Sequence, residues 1–236
     1  MIPAEGTPEI VRQALSKQGL ALRGGFNFRP GDTVPAGPGG RPTRSVLLVG
    51  NAGAEFWPHF RAWLADQEAG LADPLDAWSR QVLDEIAQDC DARVVMPNDR
   101  PFAPFQQWAM RAEGLKPSPL GILMHPEFGL WHAYRGALLF DRELAAEEGA
   151  QRPENPLHIC DACIGKPCLN ACPAGAFGDG FDYRACGAHI GSREGAACME
   201  EGCLARNACP HDGFRYGVDF QGFLMRAFRR ALPRAR

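Results

Sequence analysis

The sequence predicts an α+β protein: a sheet with helices packed on it over residues 1–150, then a compact cysteine-rich module over residues 151–236. Two observations carry this. Short apolar runs that suit buried strands are mixed with stretches of helical apolar spacing, without the regular alternation of a parallel sheet. Eight of the nine cysteines also fall between Cys160 and Cys209, a span of 50 residues. A length of 236 residues accommodates one ordinary domain with an appended module. With 45% hydrophobic and 22% charged residues, the composition is that of a globular chain. The net charge of −3 predicts neither a nucleic-acid nor a membrane partner. No stretch approaches the roughly 18 consecutive apolar residues of a membrane span. The segment Met1–Gly6 lacks the basic-then-apolar profile of a secretion signal, so a cytoplasmic protein is expected.

In chain order, Thr7 suits a helix cap, Pro8 the first helical position and Glu9 the first turn. Ile10, Val11, Ala14 and Leu15 form the apolar stripe of that helix, and Gly19 ends it. Leu20 to Phe28 reads as extended, and the Pro- and Gly-rich run 30–44 as a loop. Ser45 to Gly50 is a buried strand. The Gly50–Gly53 turn leads into a helix with Phe56, Trp57, Phe60, Trp63 and Leu64 on one face. Neither G-x-G-x-x-G nor G-x-x-x-x-G-K-[ST] is present, so this is a plain strand-to-helix turn. Asp73 and Pro74 open a helix with Leu75, Trp78, Val82 and Ile86 inward and Cys90, a small buried hydrophobe, near its end. Ala92 to Met96 is a second buried strand, and Phe105 to Glu113 is helical. Leu120 to Met124 and Leu130 to Phe140 form two strands joined by His125–Gly129. Residues 141–157, with Glu143, Glu147, Glu148, Pro153 and Pro156, form the link to the cysteine module. A closing helix places Phe220, Phe223, Leu224, Ala227, Phe228 and Ala231 on one side and Arg226, Arg229 and Arg230 on the other. Arg234 and Arg236 follow it. Charge splits accordingly, −5 over residues 1–150 and +2 over 151–236. The arginine face either complements solvent or meets a partner.

The strongest motif is Cys160, Cys163, Cys168, Cys172 and Pro173, spaced C-x2-C-x4-C-x3-C-P. Bacterial ferredoxins carry C-x2-C-x2-C-x3-C-P, in which three thiolates hold one cubane and the fourth joins its neighbour. Here Gly165-Lys166-Pro167 sit in a lengthened middle gap. Cys186, Cys198, Cys203 and Cys209-Pro210 form a looser second group with the same Cys-Pro ending. A crossed arrangement then groups Cys160, Cys163, Cys168 and Cys209 around one [4Fe-4S] cluster. Cys172, Cys186, Cys198 and Cys203 surround the second. A single cluster with bystander thiols, structural zinc and disulfides are the competing readings; the usual zinc form has two C-x2-C knuckles, and only one is present. Two clusters would make a one-electron wire needing a donor and an acceptor.

The module over 151–236 resembles the iron-sulfur module of epoxyqueuosine reductases, which also place an isolated Cys between two Cys-Pro motifs. The segment Leu120–Leu139, with His125-Pro126-Glu127-Phe128-Gly129, then Trp131, then Arg135-Gly136, is similar to a segment of the cobalamin-processing cyanocobalamin decyanase family. Trp108–Gly114 resembles the stretch before the corrinoid pocket of the epoxyqueuosine enzymes. The resemblance implies a flavin-reductase-like (nitroreductase-like) mixed sheet with flanking helices over 1–150, plus a bacterial-ferredoxin-like module with two [4Fe-4S] clusters. It implies cobalamin, or else flavin, held by His125, Phe128, Gly129, Trp131 and Arg135. It assigns no catalytic residue: Asp99 lies roughly where those enzymes keep an acid, but in different surroundings. The absence of their RNA-binding extension argues against tRNA as substrate. The expected function is therefore iron-sulfur electron transfer to a corrinoid or flavin, as a small reductase served by a ferredoxin, flavoprotein or acceptor enzyme. The alternative is a non-catalytic ferredoxin whose first domain docks a partner enzyme. Simpler roles exist for these residues: His125 as a turn histidine bonding backbone, Arg135 paired with a carboxylate such as Glu127, and His158 and His211 as loop residues beside cysteines.

Overall fold

The computed structural model describes residues 6–144 and 158–232. The link expected from 141 lies outside the described residues from 145 onward, as do Arg234 and Arg236. The described chain forms two compact units, one of residues 6–115 and 133–144, the other of 116–132 and 158–232.

In the first unit, α1 (Thr7–Ser16) precedes β1 (Ala21–Asn27), a 3-10 turn at Pro38–Gly40 and β2 (Ser45–Ala52). Then come α2 (Trp57–Ala65), α3 (Pro74–Cys90), β3 (Arg93–Val95) and α4 (Phe105–Glu113). The next strands along the chain are β4 (Lys116–Pro117), β5 (Leu123–Met124) and β6 (His132–Phe140). The main sheet has the order β1-β2-β6-β3. β1 and β2 pair antiparallel from Ala21↔Gly50 to Asn27↔Ser45, with a register shift between Leu22 and Gly25. β3 and β6 pair antiparallel from Arg93↔Leu139 to Val95↔Ala137. The two inner strands are covered on both faces, which is why Val46–Val49 and Ala137–Phe140 read as unbroken apolar runs. β3 lies at the sheet edge, so Arg93 is exposed where the sequence predicted a buried strand.

Two details of α1 also differ from expectation. Gly6, not Thr7, is the N-cap, and Thr7 is buried inside the first turn. Ile10 is 39% exposed, so the stripe is carried by Val11 and Leu15. Gly19 ends the segment in the left-handed region (φ +65°), where a Cβ would meet the Glu55 backbone at 2.6 Å.

In the second unit, β4 and β5 pair antiparallel, Lys116↔Met124 and Pro117↔Leu123. The two strands expected at Leu120–Met124 and Leu130–Phe140 are present but shorter, Leu123–Met124 and His132–Phe140, and lie in different sheets. β5 takes β4 as its partner and β6 joins the main sheet, leaving an isolated bridge, His125↔Gly129, across the turn. Beyond the link come α5 (Ile159–Ala162), α6 (Pro167–Asn170), α7 (Tyr183–Gly191), α8 (Ala196–Glu201), α9 (Leu204–Asn207) and α10 (Val218–Ala231). α10 buries Phe220, Gln221 and Gly222 and exposes Arg226, Arg229 and Arg230. Short helices around an apolar cluster of Leu120, Met124, Leu130, Cys168, Ala205 and Cys209 make up this unit. Among the described residues, no helix is long and apolar enough to cross a membrane.

Candidate functional site

The turn His125–Gly129 is made by its own side chains. Nδ1 of His125 accepts the backbone N–H groups of Glu127 and Phe128, each at 3.1 Å. Nδ1 therefore carries no proton in the neutral ring, and the proton resides on Nε2. The imidazole stacks on Phe128 with centroids 4.1 Å apart and planes 14° from parallel. Gly129 is left-handed (φ +58°), and a Cβ there would meet the His211 carbonyl oxygen at 2.5 Å. Trp131 is fully buried, donates Nε1–H to that same carbonyl at 3.1 Å and packs edge-on against Tyr216. Arg206 lies over both the Trp131 and the Tyr216 rings, 4.7 Å from each centroid. His125, Phe128, Gly129 and Trp131 thus occupy one corner of the second unit. Arg135 belongs to the first unit, where its Nε donates to Asn51 Oδ1 at 3.0 Å and its guanidinium lies over Phe56.

The thiols of the second unit stand in two neighbourhoods. Cys160 is pushed up to about 11, by burial first and then by Cys209, Cys168 and Cys163, against the opposing charge of Lys166. Cys186 is likewise pushed up to about 11 by burial, then by Cys203, Cys172 and Cys198. Burial also leads the upward shifts of Cys168, Cys198, Cys203 and Cys209. Lys166, left-handed at φ 39° in the lengthened middle gap, donates to the Cys160 carbonyl. A cavity of about 20 Å³ adjoins the first group, and one of about 310 Å³ adjoins the second. His158 bonds the Pro117 carbonyl through Nε2 at 3.0 Å, and the His211 backbone serves Trp131. Cys90 stands apart in the first unit, its thiol on the Ile86 carbonyl within α3.

The first unit holds a polar network that the sequence did not announce. Arg23, 2% exposed, grips Glu113 through Nε at 2.9 Å and a terminal nitrogen at 3.0 Å. Tyr134 donates its hydroxyl to the same carboxylate, and Arg23 also donates to the Asn51 carbonyl at 3.2 Å. Burial, then the Glu113 charge, drive the Tyr134 phenol well up. The one available signal was an arginine inside the apolar stretch Leu20–Phe28. Asp99 receives the Met96 N–H at 2.9 Å and pairs with Arg80. Burial pushes its carboxyl up, but those contacts outweigh it and leave Asp99 below the usual carboxylate range.

This architecture is that of an α+β protein with a small sheet of antiparallel pairs and flanking helices. Among solved structures, the chain is similar in fold to the B12-trafficking protein CblC of C. elegans, a homologue of human MMACHC. The TM-score is 0.57 at 13% identity, over 98% of this chain and 97% of that one. It is also similar to an epoxyqueuosine reductase (TM-score 0.47, 13% identity), over 76% of this chain and 52% of that one. The chain thus spans about half the length of that reductase. No protein-family model matches the sequence, and no curated protein matches it significantly.

These findings correct the expected function. Donors to a metal must converge on one centre, with sulfur at about 2.3 Å for zinc. Among the described residues, no group of three or more His, Cys, Asp or Glu side chains could hold a metal ion. The likeness that runs over nearly the whole of both chains, to CblC, is one of fold. Iron-sulfur electron transfer through Cys160, Cys163, Cys168 and Cys209, and through Cys172, Cys186, Cys198 and Cys203, is therefore overturned. The ferredoxin-type module and the two [4Fe-4S] clusters lose their support with it. Five of these cysteines take part in apolar packing, Cys168 and Cys209 in the buried cluster and Cys160, Cys172 and Cys203 against it.

Proposed function

We propose that this protein binds a corrinoid of the cobalamin class. The observation that carries the reading is the fold shared with the B12-trafficking protein CblC over nearly the whole of both chains. The residues of the His125–Trp131 corner agree with it in their chemistry. With both amide donors on Nδ1, the ring proton of His125 is on Nε2, so the neutral ring has no nitrogen left to ligate cobalt. Phe128, stacked on His125, supplies an aromatic face, while Gly129 and Trp131 hold the turn in shape. Arg135 lies in the first unit, on Asn51 and Phe56, and is not part of this corner. A bound corrinoid would supply cobalt chemistry; His125, Phe128, Gly129 and Trp131 would hold and orient it.

Titration with aquacobalamin, followed by its visible spectrum and by gel filtration, tests the proposal. The expected result is a band shift and co-elution of the pigment with the protein. His125→Phe and Phe128→Ala are expected to weaken retention by about tenfold, the loss of one hydrogen bond or one aromatic contact. An unchanged spectrum with complete separation of pigment and protein would overturn it.

A further inference from the structure

The C-x2-C pair of the tail, Cys160 and Cys163, takes no part in the corner around His125. Both are free thiols and partly exposed, whereas Cys168 and Cys209 beside them are buried. The backbone N–H of Cys163 donates to the Cys160 carbonyl at 3.4 Å, so the two residues are the ends of one hydrogen-bonded turn. The ends of such a turn stand less than about 7 Å apart at Cα, and a disulfide spans about 4.4–6.8 Å. A bond between the two sulfurs therefore calls for rotation of side chains, not for movement of the chain.

The turn is also held by its neighbours. Lys166 donates from Nζ to the same Cys160 carbonyl, and Asn170 donates to the Gly165 carbonyl at 2.9 Å. Ahead of the turn, His158 bonds the Pro117 carbonyl through Nε2 at 3.0 Å. The two thiols differ in setting. Cys160 packs against the apolar cluster of Leu120, Met124 and Leu130. Cys163 is followed by Ile164, which is 96% exposed, and by the exposed Gly165. A small reactant thus reaches Cys163 from solvent, and Cys160 stands behind it. In reducing surroundings, paired thiols that become disulfides do so transiently, as catalytic or redox-sensing groups.

We propose that Cys160 and Cys163 form a reversible dithiol–disulfide pair that exchanges with small-molecule disulfides. The Cys163 thiolate attacks one sulfur of the small disulfide; that S–S bond breaks, a mixed disulfide forms on Cys163, and one small thiolate leaves and takes up a proton. Cys160 then attacks the Cys163 sulfur, expelling the second small thiolate, which takes the Cys160 proton. Two electrons and two protons pass from the protein to the small disulfide, which becomes two thiols. The site is independent of corrinoid binding.

The test uses the full chain, isolated without oxygen and incubated in glutathione buffers from fully reduced to mostly oxidised. Remaining thiols are alkylated and located by mass spectrometry of the peptide that carries both cysteines. The expected result is joint loss of alkylation at Cys160 and Cys163, with no glutathione attached, and its return with dithiothreitol. The midpoint is expected at least about tenfold further toward the disulfide in the folded chain than in guanidinium chloride, about 30 mV for two electrons. In Cys160→Ser, Cys163 is expected to stop at the mixed disulfide with glutathione. Full alkylation of both residues in every buffer overturns the proposal, as do equal midpoints in the folded and unfolded chain. So does a disulfide that joins Cys160 to Cys209 instead. These outcomes are read on the wild-type chain and do not depend on a variant folding. Iron with sulfide in the isolated protein overturns it too, because the thiols would then be ligands.

Discussion

Glu113 shows how much one carboxylate can organise. It answers both nitrogens of a buried arginine and the hydroxyl of Tyr134, joining the end of α4 to β1 and β6. Glu113→Gln leaves Arg23 charged and buried opposite a neutral amide. Breaking such a pair from one side costs about 3 kcal/mol, seen as a lower denaturant midpoint at unchanged slope. A loss below about 1 kcal/mol would mean that the pair behaves like an exposed one. Gly129 makes a second prediction at this scale. Its backbone is left-handed, and the His211 oxygen lies 2.5 Å from where an alanine Cβ would sit. Gly129→Ala is therefore expected to destabilise by about 1–3 kcal/mol, by the same measurement. The turn around Gly129 was readable from Pro126 and Gly129 themselves. The Arg23–Glu113 pair was not, because its partners are 90 residues apart and nothing local in either segment names the other.

Among elements, those whose signals are local came out as read. α4 spans Phe105–Glu113 and α3 spans Pro74–Cys90, each closed by a left-handed residue, Gly114 and Asp91. Leu75, Trp78, Val82 and Ile86 face inward on α3 because their spacing leaves them one common face. Pairing between strands is a different matter. Leu123–Met124 and His132–Phe140 are apolar runs either side of a turn, and the sequence names no partner for either. Each finds its partner elsewhere, and one of those partners, Lys116–Pro117, has no apolar pattern at all. Helices of four residues, such as α5, α6 and α9, are too short to show a period. α10 is the longest element of the second unit, and it depends on its buried first turns. Phe220 is fully buried and packs on Tyr216 at 4.7 Å. Phe220→Ala is expected to cost about 3–5 kcal/mol in chemical denaturation; a loss below about 1 kcal/mol would mean that α10 is anchored by other contacts.

For the molecule as a whole, the thiols make stability depend on alkalinity. Cys90, Cys160 and Cys186 are pushed up to about 11 from an ordinary 9.0, in each case by burial first. The folded state therefore holds thiol protons that the unfolded chain gives up at lower pH. This contribution is fully present below pH 9 and is lost as pH rises through about 11. In reductant, the denaturation midpoint should fall across that window, and Cys160→Ser with Cys186→Ser should flatten the fall. A midpoint that is level from pH 9 to 11 would contradict the burial of these groups. That the tail's cysteines are neighbours of one another was foreseeable from their density. What they surround was not, because thiol spacing fits a metal, a disulfide or a packed interior alike until the neighbours are known. The His125–Trp131 corner was legible in part: its turn is local, whereas the Trp131 contacts with Tyr216, Arg206 and the His211 carbonyl come from far along the chain.

The second unit takes residues 116–132 from ahead of β6 and the remainder from 158 onward. A truncated gene encoding only the cysteine-bearing tail would omit β4, β5 and the indole that flanks Arg206. Expressed by itself, that fragment would leave Cys168 and Cys209 without Leu120, Met124 and Leu130 to cover them. Dissection by cloning should therefore splice 116–132 to 158–232 through a short linker.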